Sequence, residues 1–285
     1  MRLVTYMSPG EMALAGVVVE EKVFGLQPAG FTSVLSVIAG GAAARASIAS
    51  YLKAVPPAAG KDMSRVVLLA PIPKPPKLIC VGLNYRDHAA EAKMEIPSVP
   101  TIFSKFSSAI TGPGAPIILP KNSTKPDYEA EFAVVIGTGG RHIPAAAWRE
   151  HVFGYMCLND VSARDFQLAT SQWLMGKTFD TFAPCGPWLT TADEIDDPHN
   201  LDISLTINGE KLQDSNTKHL IFGIPALIEF LSSAFTLEPG DIITTGTPAG
   251  VGFSKKPPRW LRPGDDVVVK IQGLGELRNP VVAEA

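Results

Sequence analysis

From residue 78 onward the chain is a succession of short apolar runs broken by turn residues. They read "LICVGLNY", "TIFSKF", "APIILP", "EFAVVIG", "YMCLND", "LDISLTING", "DIITTG" and "DVVVKIQG". Their length and β-branched content mark them as strands. Only "RDHAAEAK", "PAAAWREHV" and "PALIEFLSSAF" read as helices in this region. Strands that outnumber helices without regular alternation argue against a doubly wound sheet and predict an α+β, β-rich chain built as a mixed roll or sandwich. Upstream, "APIPKPPK" packs four prolines between residues 71 and 76. Proline at that density stops helix and central strand alike. Residues 71–77 therefore read as a linker between a small N-terminal α+β domain, 1–70, and a larger domain, 78–285. In the small domain "GVVVE" and "KVFGLQPAG" read as paired strands, and Thr32 as the cap of a helix through "SVLSVIAGGAAARASIASYL".

Composition narrows the function. A net charge of −3 and a charged fraction of 19% suggest neither a nucleic-acid surface nor a disordered acidic tail. The three cysteines, Cys80, Cys157 and Cys185, form no disulfide framework and have no cysteine or histidine at zinc spacing. Ser8-Pro9-Gly10 interrupts the start of the chain before an apolar leader can form. The longest uncharged stretch, 23–44, is broken by Gln27, Pro28 and glycines, so no membrane span is expected. These features predict a soluble, cytoplasmic-type protein.

Two glycine-rich stretches do not carry nucleotide chemistry. "GTGG" at 137–140 lacks the third glycine and the surrounding βαβ unit of a dinucleotide site, and "GTPAGVG" at 246–252 lacks the Gly-Lys-Ser/Thr ending of a phosphate loop.

The segment "DYEAEF" is more informative. In an extended strand, alternate residues share a face, so Glu129 and Glu131 point the same way and Tyr128, Ala130 and Phe132 point the other. Two such carboxylates repel each other and lose hydration unless one is protonated, a basic group pairs with them, or a cation sits between them. Asp160, at the end of "YMCLND", offers a third carboxylate, and an all-oxygen set suits Mg²⁺, Mn²⁺ or Ca²⁺ rather than zinc. In "NYRDHAAEAK", Asn84 and Asp87 read as a capping pair. His88 and Glu91 are then i and i+3 on one helical face, where the carboxylate orients the imidazole and raises its basicity. "SARDFQ" supplies Arg164 and Gln167, and "GKTFDTF" supplies Lys177.

The ordered set "NYRDHAAE", "DYEAEFAVVIG", "CLNDVSARDFQ", "GKTFDTFAPCGP", "DPHNL", "INGE" and "GDIITTGTPAGVG" closely resembles the fumarylacetoacetate hydrolase family. The likeness spans about residues 78–282. Within the family the chain looks most like the branch of fumarylacetoacetate hydrolase domain-containing proteins, some of which are oxaloacetate tautomerases. The resemblance implies the family's mixed β-sandwich roll, paired into a homodimer. It implies a divalent metal, usually Mg²⁺, on Glu129, Glu131 and Asp160. His88 and Glu91 would be a water-activating dyad on a lid segment that orders when substrate binds. Lys177 would contact an oxyanion or a substrate carboxylate, with Gln167 and Thr247 lining the pocket and Arg164 and Lys105 near it. The implied reaction passes through an enolate of a 2-oxo acid stabilised by the cation. Carbon–carbon hydrolysis of an acylpyruvate-like compound is the leading expectation, with keto–enol tautomerisation or isomerisation and oxaloacetate decarboxylation as alternatives. A non-catalytic metal-binding scaffold would have lost at least one of His88, Glu91, Glu131 and Lys177, and all four are present.

Overall fold

The computed structural model describes residues 1–8 and 10–285. Its framework is two β-sheets with one apolar core between them and a second behind the larger sheet. The larger, twelve-stranded sheet runs through the neighbouring strands Arg2–Met7, Ala183–Thr191, Val152–Asn159, Ala130–Ile136, Ile242–Thr244 and Leu78–Gly82, and ends at Thr101–Ser104. The five-stranded sheet is ordered Glu210–Asn216, Asp202–Ile207, Asp266–Ile271, Gly275–Ala283 and Ile117–Leu119. This is the β-rich α+β roll expected from the sequence.

The strand Ala130–Ile136 shows how the layers are specified. Every residue in it is buried, as a strand covered on both faces must be. Phe132, Val134 and Ile136 face the core shared with Ile203, Leu205 and Val269 of the smaller sheet. Ala133 and Val135 belong to the other core, with Val37, Ile38 and Ile48 of the helix Val34–Ala54. By the same alternation Glu129 and Glu131 fall on the Ala133 side.

Most expected strands are present, and Leu14–Val19 pairs antiparallel with Lys22–Gly25 as read. The first strand, Arg2–Met7, pairs with Ala183–Thr191 of the large sheet as well as with Leu14–Val19. Its helix is capped by Ser33 rather than Thr32: Ser33 and Ser36 bond each other reciprocally. Ser33 is extended (φ −143°, ψ 156°), which aims its hydroxyl at the Ser36 N–H. This helix is, by length and composition, the one among the described residues that could cross a membrane. It is interrupted at Gly41 (φ 53°, ψ −132°) and buries Val34, Val37, Ile38, Ala44 and Ile48 in the protein.

The motif "DPHNL" supports a second helix, Ile224–Ala234. His199 Nε2 accepts a hydrogen bond from the Ile224 N–H at 3.2 Å, one of the donors a helix start leaves unpaired, and the Trp148 ring lies edge-on at 5.5 Å. Burial pushes the His199 pKa down, Asp197 opposes, and Arg149 adds to the fall. A depressed histidine pKa means stability is complete above the free value of about 6.5 and is lost as pH falls through the folded value. We expect His199→Asn to flatten the pH dependence of the denaturation midpoint between about pH 7 and 5. An unaltered slope would count against this assignment.

Candidate active site

Antiparallel pairing assembles the acidic cluster. Ala130 is registered with Asn159, so the start of one strand lies beside the end of the other, and the Asp160 N–H donates to the Glu129 carbonyl at 2.9 Å. One carboxylate oxygen from each of Glu129, Glu131 and Asp160 lies within 4.8 Å of the others. All three residues are buried.

Three cations compensate part of that charge. Lys177 Nζ donates to Glu129 at 2.8 Å and to Asp160 at 2.7 Å. Lys105 donates to the other Asp160 oxygen and to the Val161 carbonyl. Arg164 Nη2 lies 2.7 Å from Glu129 and 2.8 Å from Asp127. Burial alone would raise the Glu129 pKa, but Lys177 and Arg164 outweigh it and hold the group at about 2. Burial pushes Lys105 down against the pull of Asp160. For Lys177, Asp160 and Glu129 together overcome burial and raise it. Glu131 is different. It accepts a hydrogen bond from the Gly246 N–H at 2.9 Å, and burial, then Asp160 and Glu129, push its pKa well up. With Glu131 ionised, the four buried carboxylates, counting Asp127, would exceed the three cations by one negative charge. A hard divalent ion fits this donor set, because its charge would offset the repulsion and desolvation that bear on Glu131.

The stretch "GTPAGVG" binds carboxylates after all, although they are the protein's own. Gly246 N–H donates to Glu131, Gly250 N–H to Glu91 at 3.0 Å, and Gly252 N–H to Asp127 at 2.7 Å. At Gly250 (φ +102°) the backbone is in the region that favours glycine. At Gly252 a Cβ would sit 2.0 Å from the Arg259 carbonyl. Asp127 also accepts from the Phe253 N–H at 3.0 Å and from Arg164 Nε at 2.9 Å. Asp127 and Gln213 were not among the residues expected from the sequence. Gln213 Oε1 accepts from the Ala130 N–H, between the two glutamates, while its amide nitrogen donates to Thr247 Oγ1 at 2.9 Å. Nothing in the sequence near position 213 signals this bridge.

The helix Arg86–Ala92 carries His88 and Glu91, with His88 Nδ1 3.3 Å from Glu91 Oε2. Burial favours a raised Glu91 pKa, but His88 and the Gly250 N–H prevail and lower it. The helix start differs from the expected capping pair. Tyr85 occupies the N-cap position without a side-chain bond. Asn84 instead donates to the Phe222 and Thr245 carbonyls, and Asp87 accepts from Ser215. The Asn84 partners outcompete a local cap because they satisfy backbone carbonyls in the interior, while Asp87 keeps one local bond, from the His88 N–H at 2.8 Å.

All the candidate residues except Lys105, Glu91 and Asp160 line one cavity of about 210 Å³. Glu91 and Asp160 stand directly behind His88 and Lys177. Lys105 sits beyond Asp160 with its side chain fully buried.

A β-rich roll with these groups converging on one small cavity belongs to an enzyme, and its sequence places it. Residues 77–282 match the family model described as fumarylacetoacetate (FAA) hydrolase C-terminal, and the chain is a member of the fumarylacetoacetate hydrolase family. It is 50% identical over 240 residues to oxaloacetate tautomerase Fahd2a, mitochondrial, of Rattus norvegicus, covering 84% of this chain and 75% of that one. Among solved structures it resembles maleylpyruvate hydrolase from Sphingobium sp. SYK-6 in complex with manganese (II) ion and pyruvate, with a TM-score of 0.85, 31% identity and full coverage of both chains. It also resembles 5-carboxymethyl-2-hydroxymuconate delta-isomerase from Mycobacterium smegmatis, with a TM-score of 0.80, 35% identity and full coverage of both. Family relatives thus include hydrolases and isomerases.

Proposed function

We propose that the protein interconverts the keto and enol forms of a 2-oxo acid, with oxaloacetate as the substrate to test first. The observation that carries this reading is the buried cluster Glu129, Glu131 and Asp160, whose two glutamates line the same cavity as His88 and Lys177. A Mg²⁺ or Mn²⁺ ion held by the three carboxylates would supply Lewis acidity next to the reacting carbonyl.

The protein groups then divide the work. His88, oriented by Glu91, takes the proton from the carbon next to the keto group and delivers it to the enolate oxygen, and the reverse reaction moves it from the enol oxygen back to that carbon. Lys177 commits two ammonium hydrogens to Glu129 and Asp160, which leaves a third to donate to the developing oxyanion. Gln167 Oε1 accepts from Arg164 at 2.8 Å, so its NH₂ remains a donor for a substrate carboxylate. Thr247 Oγ1 accepts from Gln213, leaving its own hydroxyl hydrogen for the same end. Arg164 holds Glu129 and Gln167 in place, and Lys105 steadies Asp160.

Identity favours tautomerisation over the hydrolysis expected first, since the half-identical rat relative is a tautomerase and the hydrolase neighbour is 31% identical. Hydrolysis of an acylpyruvate is the second reading, supported by the formed His88–Glu91 pair, which also suits activation of a water. The working form is a homodimer, as the family likeness implies. The mitochondrial placement of the rat relative and the cytoplasm expected from the sequence share one requirement, a reducing compartment that suits free Cys80, Cys157 and Cys185.

The test follows the absorbance of enol-oxaloacetate and the release of pyruvate from acetylpyruvate, with Mg²⁺ and with chelator. We expect fast, cation-dependent loss of the enol that vanishes in Glu131→Gln, without pyruvate release. Decay no faster than in buffer would refute the reading, and pyruvate from acetylpyruvate would establish hydrolysis instead.

A further inference from the structure

We infer that the part of the cavity beyond the reacting carbons selects 2-oxo acids with an apolar distal end, and that Trp173 sets this preference. The inference deepens the functional reading above, which fixes the 2-oxo acid end at the carboxylate cluster.

The lysine and arginine that line the cavity are Lys177 and Arg164, and both stand at the reacting end. Each is already bonded to two buried carboxylates. Lys93 and Lys255 occupy adjacent segments, and neither lines the cavity. The apolar wall is formed by Phe103, Trp173, Leu168, Met94 and Phe253. Leu168, Met94 and Phe253 are 61%, 57% and 53% exposed, an apolar surface that a ligand of matching character would cover. A carboxylate placed against the partly buried Trp173 and Phe103 would lose part of its hydration with no free lysine or arginine on the lining to replace it.

Trp173 is the fixed piece of that wall. Its ring lies against Gly82, where a Cβ would come within 2.3 Å of it. It meets Phe103 edge-on with centroids 5.4 Å apart, and the Lys177 ammonium lies 5.0 Å from the Phe103 centroid. The apolar wall therefore begins where the reacting groups end. At about 210 Å³ the cavity falls below the roughly 300–1,000 Å³ of drug-sized pockets, which suits a short chain. Oxaloacetate is two carbons shorter than a six-carbon 2-oxo acid, so the preference concerns chains that extend beyond it.

The matched probes are 2-oxohexanoate and 2-oxoadipate, which differ only in a terminal methyl or carboxylate. Calorimetric binding to the Mg²⁺-loaded protein, with pyruvate as reference, reads the preference without turnover. We expect 2-oxohexanoate to bind at least about tenfold more tightly than 2-oxoadipate. Trp173→Ala should shrink that ratio to about threefold or less and leave pyruvate binding unchanged. Met94→Arg, a change at an exposed position, should strengthen 2-oxoadipate by about tenfold. Equal or tighter binding of 2-oxoadipate, or a ratio untouched by Trp173→Ala, would overturn the inference. Absence of pyruvate binding is a separate result, which would remove the functional reading and this inference with it.

Discussion

Asp127→Ala is expected to destabilise the protein by about 3–5 kcal/mol, the usual penalty for stranding one member of a buried ion pair. Asp127 is fully buried and receives Arg164 together with the N–H groups of Tyr128, Gly252 and Phe253. Removing it leaves a guanidinium over-dependent on Glu129 and frees three donors, of which the Tyr128 and Gly252 N–H groups are buried. For a chain of this size the melting temperature should fall by roughly 10 °C. Asp127→Asn, which keeps an acceptor, should fall between. A loss for the alanine variant below about 1 kcal/mol would mean that Glu129 alone holds Arg164.

His88→Ala should act on turnover rather than on folding. A general base contributes about 10²–10⁴-fold, and kcat for the enol reaction should drop by that factor with KM little changed. Its side chain is partly exposed (17%) and contacts no carboxylate of the cluster other than through the solvent-facing Glu91 pair, so thermal stability should stay within about 0.5 kcal/mol. Stabilisation by added Mg²⁺ should also persist, because the proposed ligands are untouched. Glu91→Gln should reproduce a smaller part of the loss, since it removes orientation but leaves the imidazole. Wild-type turnover in His88→Ala would assign the proton transfer to another group.

Local periodicity is what the sequence displays plainly. The shared face of Glu129 and Glu131 follows from two-residue alternation, and the pairing of His88 with Glu91 follows from helical spacing. Both needed only neighbours in the chain. Strands that break the usual composition were harder to see. Ala183–Thr191 contains Pro184 and Pro187, Gly275–Ala283 contains Pro280, and Glu210–Asn216 is polar throughout except for Leu212. Each is tolerated because tertiary pairing overrides its propensity. The supports of the site were hidden for another reason. Asp127 meets Arg164 and Gly252 across 37 and 125 residues, and Gln213 meets Ala130 across 83. No local pattern encodes such contacts, and Asn84 and Asp87 bond Phe222 and Ser215 instead of forming the cap their spacing suggested. The glycines of 246–252 were legible as glycines, but their carboxylate partners were not.

That seven-residue loop makes the site spectroscopically addressable. Three of its backbone amides each end on a different acidic side chain, one from the helix Arg86–Ala92 and two from the segment 127–131. The nitrogen-15 resonances of Gly246, Gly250 and Gly252 would therefore report separately on Glu131, Glu91 and Asp127. Cation loading, ligand arrival and disturbance of the arginine anchor would each register at its own glycine, with no label placed inside the cavity.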